Sequence, residues 1–313
     1  MFPSYPHFRP LTNEDRERYN FYYFLQDEPN SDYCFSVIQT WLAFECPVEV
    51  TQIDEGLIAL KYCDVLFDDK NTCLYALIGK EKMLTPKEAD KILELTDDNT
   101  RLVLSNSQLK KLEKYIDSSF TITSDLGMND YIYSVEDYTN LDKPDYRRIR
   151  RELNIFNRDH PGAAIELEQV DVTHPANCAR VLNIHHTWED TYKFQNDPER
   201  IEGLIMSRIL GDAVNLGVNC VIAKINDVPE GIFIYSDLPM KSGHFVNLHH
   251  ARFSYRYKHI NDILWVHFAQ FIGKNKAEYI NFERDANIDG LRQHKLLLKP
   301  KKINSMHLIW KSA

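Results

Sequence analysis

No run of the 313-residue chain approaches the roughly 18 consecutive apolar residues that a bilayer-spanning helix requires. The opening MFPSYPHFRP lacks the charged start and apolar stretch of a signal peptide. The expectation is a soluble, cytoplasmic protein without integral membrane association. Cysteine is sparse: Cys34, Cys46, Cys63, Cys73, Cys178 and Cys220 show no CxxC spacing. A disulfide framework is not expected in a chain this long, and a tetrahedral metal site has no local motif to build on. The six read as mostly buried free thiols in a reducing compartment. Acidic residues are missing after Asp289, whereas Arg292, Lys295, Lys299, Lys301, Lys302 and Lys311 follow it.

What is present suits a globular protein. Apolar residues make up 43% and charged residues 27%, which excludes wholesale disorder. The length leaves room for about two domains of ~150 residues. Aromatics reach 12%, enough for large cores or stacking surfaces. The net charge of −9 is uneven, with −10 in residues 1–160 and +1 in residues 161–313. Bulk negative charge speaks against general nucleic-acid affinity, while local basic patches can still hold an anion.

Residues 48–62 alternate in polarity around Asp54-Glu55-Gly56, a hairpin signal. A strand follows at 72–78. Thr85, Pro86 and Glu88 supply the N-cap, first-turn proline and capping-box acid of a helix running to about residue 95. A strand at 101–104, a helix at 107–116 and a strand at 120–123 complete this half. The second half repeats the order: a hairpin at 220–235 around Asn226-Asp227, a strand at 243–250, and an apolar helix at 262–272 stopped by Gly273. A strand at 278–282, a helix at 289–298 ended by Pro300 and a strand at 303–310 follow. Two copies of one α/β unit are implied. Between them, residues 145–158 carry Tyr146, Ile149, Leu153 and Phe156 on one helical face. Arg147, Arg151 and Arg158 fall on the other, with Arg148 and Arg150 at its borders.

The order of the second half resembles that of the GNAT acyltransferases. In that family the loop entering the apolar helix reads Gln or Arg, two residues, Gly, one residue, then Gly or Ala. Its small residues let backbone amides cradle the pyrophosphate of acyl-CoA. The matching stretch here keeps the leading Arg256 but has His259 and Asn261 at the two small positions. A side chain as bulky as His259 obstructs close approach to a diphosphate, which speaks against acyl-CoA.

Three further matches resemble the phosphatidylglycerol lysyltransferase C-terminal region and the related family DUF2156. The tail Asp289-Gly290-Leu291-Arg292-x-x-Lys295-x-x-x-x-Pro300 resembles its "(E/D)GLRxxKxxxxP" signature. Arg150-x-x-Leu153-Asn154-x-Phe156 resembles its basic "KRNxINxF" helix, with Arg151 where Asn is usual. Ser31-Asp32-Tyr33-x-Phe35 with Trp41 resembles its "SDYSF…W" element. The resemblance implies an α/β (α+β) fold of two tandem GNAT-like domains, each a mixed, mostly antiparallel sheet flanked by helices. Residues 1–142 would form a non-catalytic domain, 143–160 a basic linking helix, and 161–313 the domain with the active centre. It implies transfer of an aminoacyl or acyl group to an amine or hydroxyl acceptor, with aminoacyl-tRNA or acyl-CoA as donor and no metal. The lysyltransferases carry a membrane-embedded region, so a lipid acceptor is the least transferable part. An acyl-CoA N-acyltransferase and a non-catalytic binding or scaffold protein are the alternatives.

Such transfer needs a base for the nucleophile and cations for a phosphate-bearing donor. Arg292 and Lys295 share one helical face and can converge on an anion; a solvated basic face with Arg292 paired to Asp289 is the plainer reading. Glu283 and Asp285 follow a strand at its carboxyl end, where α/β sheets commonly put ligands. Either suits a general base or an ammonium partner; a loop ion pair with Arg284 is the alternative. Alternation sends His249 and His250 to opposite faces, and one of them, His250 in our assignment, is a candidate base. Tyr255, Arg256 and Lys258 interleave with Arg252, Phe253 and Tyr257, a pattern suited to stacking bases beside phosphates. Arg147 and Arg151 on the linking helix join them as candidate donor-binding residues, with tRNA as partner and a small-molecule acceptor. His185, His186 and Glu189 lack a third ligand nearby, so no metal is expected.

Overall fold

The computed structural model describes residues 1–44, 46–63, 72–79, 84–97, 99–191 and 197–311. Among them, two seven-stranded sheets form. The first runs in space as Arg9–Pro10, Glu49–Asp54, Leu57–Tyr62, Cys73–Gly79, Thr100–Ser105, Met306–Lys311 and Phe120–Ser124. The second runs as Ile165–Val170, Val218–Ile225, Val228–Met240, Gly243–Phe253, Tyr279–Asn281, Asp130–Ser134 and Lys302–Asn304. Each contains one parallel pair, Cys73–Gly79 with Thr100–Ser105 and Gly243–Phe253 with Tyr279–Asn281; the other pairings are antiparallel.

Local chemistry explains the elements. Asn226 and Asp227 both adopt positive φ, 51° and 63°, as a two-residue hairpin turn matching strand twist demands. Thr85 caps the helix Pro86–Leu93 and Glu88 reaches back to it, completing the capping box read from sequence. The helix Ile260–Lys274 is buried over most of its circumference and packs its Trp265 and Phe268 under the second sheet. The linking helix Arg147–Asp159 turns Ile149 and Phe156 into the same core. Helices Pro175–Thr191, Asp197–Gly211 and Ala213–Leu216 cover the sheet's other face.

The halves exchange strands. Asp130–Ser134 inserts into the second sheet between Tyr279–Asn281 and Lys302–Asn304. Met306–Lys311 inserts into the first between Thr100–Ser105 and Phe120–Ser124. A cut after residue 142 therefore does not separate the sheets. The apolar run expected as one strand at 303–310 is instead two strands, in different sheets, broken at Ser305. Asp130–Ser134 escaped the sequence reading because it starts on an acid. Asp130 is buried, yet Ser31 donates to it through backbone and hydroxyl at 2.6 Å each, and Asn281 donates at 2.7 Å. A third cluster between the sheets, from Phe2, Tyr19 and Phe35 to Phe245 and Met306, welds the halves together. All six cysteines are free, but only Cys34 and Cys220 are buried; Cys46, Cys63, Cys73 and Cys178 are half-buried, against the expectation of mostly buried thiols.

Candidate active site

Between Ile234 and Tyr235 the pairing of Val228–Met240 with Gly243–Phe253 slips: Ile234 faces His250, Tyr235 faces Leu248, and His249 has no opposite residue. It is the extra residue of a β-bulge, a device that re-aims a side chain. His249 consequently turns toward the seam between the halves. Its Nδ1 lies 2.8 Å from Glu283 Oε1. Nε2 lies 2.8 Å from Ser236 Oγ and 3.0 Å from Ser36 Oγ. Asn247 Nδ2 donates to the same Glu283 oxygen at 2.9 Å.

Glu283 sits on a contorted loop. Glu283, Ala286 and Asn287 hold φ of 56°, 50° and 59°, which costs non-glycine residues about 1–3 kcal/mol each. Two residues of the last helix, Asp289–Leu297, offset that cost. Lys295, 2% exposed, donates through Nζ to the carbonyls of Phe282, Glu283 (3.1 Å) and Arg284 (2.8 Å). Burial pushes its ammonium down to about 8. Arg292 grips Asp285 with Nε and Nη2 at 2.8 Å each and donates to Asn287 Oδ1 at 2.8 Å. Asp285, fully buried, also accepts from Tyr131 OH at 2.5 Å and Asn287 N at 2.9 Å.

A cavity of about 480 Å³ opens above this loop. Glu283, His249, Arg252 and Lys295 contribute to its wall, as do Trp188, Glu202 and Tyr255. The first half contributes Asp32, Val37 and Trp41. Asp32 pairs with Arg284 at 3.1 Å, fastening the N-terminal element to the loop. Glu202 pairs with Arg252, whose guanidinium lies 4.3 Å over the Trp188 ring.

The sequence candidates distribute unevenly over this geometry. Glu283 faces the cavity, whereas Asp285 is consumed by Arg292 and Tyr131. Arg292 and Lys295 do share a helix face, but both hold the loop rather than converge on open space. The plainer reading foresaw an ion pair for Arg292; its main partner is Asp285, with Asp289 farther off at 3.8 Å. Of the histidine pair, His249 lines the cavity and His250 is not among its lining residues. It is buried on the sheet face opposite the helix Ile260–Lys274, 3.1 Å from Glu202, and burial pushes it down to about 4. Sequence reasoning assumed an unbroken alternation and could not see the bulge. A signal was present nonetheless in Asn247 and His249, polar residues two apart within an apolar strand.

Tyr255 is exposed at the cavity's edge. Arg256 pairs with buried Glu230 at 2.8 Å, and Lys258 is exposed. Arg147 and Arg151 are exposed on the linking helix, where with Arg150, Asn154 and Arg158 they line an open groove of about 390 Å³. Arg148 points inward and binds Asp262 at 2.5 and 2.9 Å. Asp262 lies in the first turn of the helix Ile260–Lys274, and His259 at its N-cap has φ of 60° and contacts Glu152 at 2.9 Å. No side chain caps this helix start, but a carboxylate in its first turn and His259 at its N-cap stand where the GNAT pattern has small residues and an anion. Among the described residues no group of three or more His, Cys, Asp or Glu is arranged to hold a metal, and no helix is long and apolar enough to cross a membrane.

A sequence model described as "Phosphatidylglycerol lysyltransferase, C-terminal" matches residues 25–306. The chain belongs to that family. No curated protein matches the sequence. Among solved structures, a conserved protein of unknown function from Bacteroides thetaiotaomicron VPI-5482 is similar at 18% identity, covering 99% of both chains with a TM-score of 0.78. A C-terminal DUF2156 domain from Agrobacterium fabrum is similar at 14% identity, over 96% of this chain and 93% of that one, with a TM-score of 0.62. L-PGS from Bacillus licheniformis is similar at 12% identity, over 97% and 94%, with a TM-score of 0.62. The mixed α/β fold of two sheets flanked by helices is shared with these structures over nearly the whole chain. The family's signature residues Arg292 and Lys295 are, in this chain, the fastenings of the loop that carries Glu283.

Proposed function

We propose that the protein transfers an aminoacyl group from aminoacyl-tRNA to a small amine or hydroxyl acceptor in the cavity at the seam. The observation that carries this reading is the His249–Glu283 pair, 2.8 Å apart, on the wall of a cavity of about 480 Å³. Glu283 removes the acceptor's proton as its nitrogen or oxygen attacks the ester carbonyl of the donor. The tetrahedral intermediate collapses, the ester C–O bond breaks, and the same proton passes to the departing ribose oxygen. Asp32 and Glu202 bring carboxylates to the wall beside which an ammonium group of the transferred residue can lie, each of them already shared with an arginine.

Two features favour tRNA over acyl-CoA as donor. The helix that would receive a pyrophosphate has the carboxylate of Asp262 in its first turn and a bulky His259 at its N-cap. The exposed cations Arg147, Arg151 and Lys258, with Tyr255 at the cavity's edge, suit phosphates followed by a stacked terminal base. Arg256 joins them at the rim while tied to Glu230.

Incubation with a panel of charged tRNAs and, in parallel, acyl-CoAs, with mass spectrometry of acceptor pools, tests this. Transfer from a charged tRNA, reduced at least ~10²-fold in a folded Glu283→Gln protein, is expected. Turnover from a CoA donor alone, or full activity in Glu283→Gln, overturns the reading.

A further inference from the structure

The relay behind Glu283 reaches from the cavity into the first half of the chain. His249 is buried, and the hydroxyls at its Nε2 come from different halves: Ser236 from the strand Val228–Met240 and Ser36 from the helix Phe35–Thr40. The two hydroxyls lie 3.1 Å apart, and Cys34 Sγ lies 3.1 Å from Ser36 Oγ. Bond directions follow from what each group can do. A carboxylate accepts only, so Glu283 Oε1 requires a proton on Nδ1 of His249. A neutral imidazole protonated at Nδ1 has a bare Nε2, which must accept. Nε2 then accepts from the Ser236 or the Ser36 hydroxyl, both within reach, and the remaining hydroxyl and the Cys34 thiol complete the row.

We propose that Ser36 and Ser236 are positioning residues that hold the ring of His249 at its Nε2, so that the Nδ1–H demanded by Glu283 keeps one carboxylate oxygen anchored and leaves the other for the acceptor. This rests on the reading of Glu283 as the base. His249 and Asn247 both donate to Oε1, so Oε2 is the oxygen that neither of them engages. The carboxylate cannot rotate without breaking both bonds, and the proton of the acceptor is taken at a fixed point. The first half thereby completes a site whose reacting group lies in the second. Ser36 sits five residues after Ser31 in the N-terminal signature element, whose Asp32 already fastens to the same loop through Arg284.

The tautomer can be read without any assay of transfer. Long-range proton–nitrogen NMR spectra of ¹⁵N-histidine-labelled protein separate protonated from bare ring nitrogens, and the His249→Gln spectrum identifies which signals belong to His249. In the wild-type protein near neutral pH, His249 is expected to show a protonated Nδ1 and a bare Nε2. In a folded Ser36→Ala/Ser236→Ala protein Nδ1 should stay protonated while the Nε2 signal moves toward that of an imidazole nitrogen with no donor, and Ser236→Thr, which keeps a hydroxyl, should leave it nearly in place. A wild-type His249 protonated at Nε2, or an Nε2 signal unmoved in the folded double variant, overturns the proposal. Where the double variant does not fold, the single Ser36→Ala and Ser236→Ala proteins give the same reading. Where transfer is measurable, kcat in the double variant should fall about tenfold with KM little changed. If no donor supports transfer while the tautomer is as expected, the reading of Glu283 fails and the hydrogen-bonded row stands.

Discussion

The guanidinium of Arg292 closes on the carboxylate of Asp285 through two bonds of 2.8 Å, and Asp285 is wholly removed from solvent. This pair belongs to the loop's framework. Arg292→Ala should leave a buried carboxylate with its cation gone, destabilising the protein by about 3 kcal/mol or more. Arg292→Lys should recover only part of that, because an ammonium cannot reproduce the two-pronged geometry. Urea denaturation of both variants measures it; an Arg292→Ala protein of unchanged stability would refute the assignment.

Lys295 gathers three consecutive carbonyls of the loop. Lys295→Met fills similar volume and leaves those oxygens without their donor, at a cost of about 1–3 kcal/mol. Because the Glu283 backbone is among them, transfer activity should fall together with stability. A Lys295→Met protein with reduced stability and full activity would mean that the loop keeps its shape without the ammonium.

His250 supplies a pH dependence whose sign is fixed. Burial pushes it down to about 4, against about 6.5 in an unfolded chain. Between those values the unfolded chain binds a proton that the folded protein does not, so stability falls as pH drops from about 6.5 toward 4. The contribution is at most about 3 kcal/mol. His185, pushed down to about 3 by burial with Arg252 nearby, adds in the same direction. Denaturation at about pH 7 and about pH 4.5 should show the loss, and His250→Asn should flatten it.

The linking-helix arginines should act chiefly on donor binding, although Arg151 also donates to the carboxylate of buried Glu152. Arg147→Glu/Arg151→Gln is expected to raise KM for charged tRNA by about tenfold or more at moderate salt, with kcat unchanged. The salt dependence of kcat/KM should become shallower, since fewer counterions are released. Equal salt slopes for wild type and variant would remove the helix from the donor site.

Much of the fold was legible where a single stretch of chain decides its own conformation. Asn226-Asp227 announces its hairpin because both residues tolerate positive φ, and Thr85-Pro86-x-Glu88 announces a helix start because three local preferences agree. What was not legible depends on partners distant in sequence. Nothing in residues 303–310 says that Ser305 divides two sheets, since both pieces carry the same apolar signal. His249 could not be preferred over His250 without the register of two strands. Arg292 and Lys295 share one face of one helix as their spacing implies, but the loop folded over that face, which engages both, is invisible to helical periodicity.

The exchange of Asp130–Ser134 for Met306–Lys311 sets an order of assembly. Thr100–Ser105 and Phe120–Ser124 flank a gap that closes only when a segment made about two hundred residues later arrives. During synthesis the earlier sheet must wait, with two unpaired edges open to mispairing or to a chaperone. The later sheet has no such wait, because its borrowed strand has already emerged.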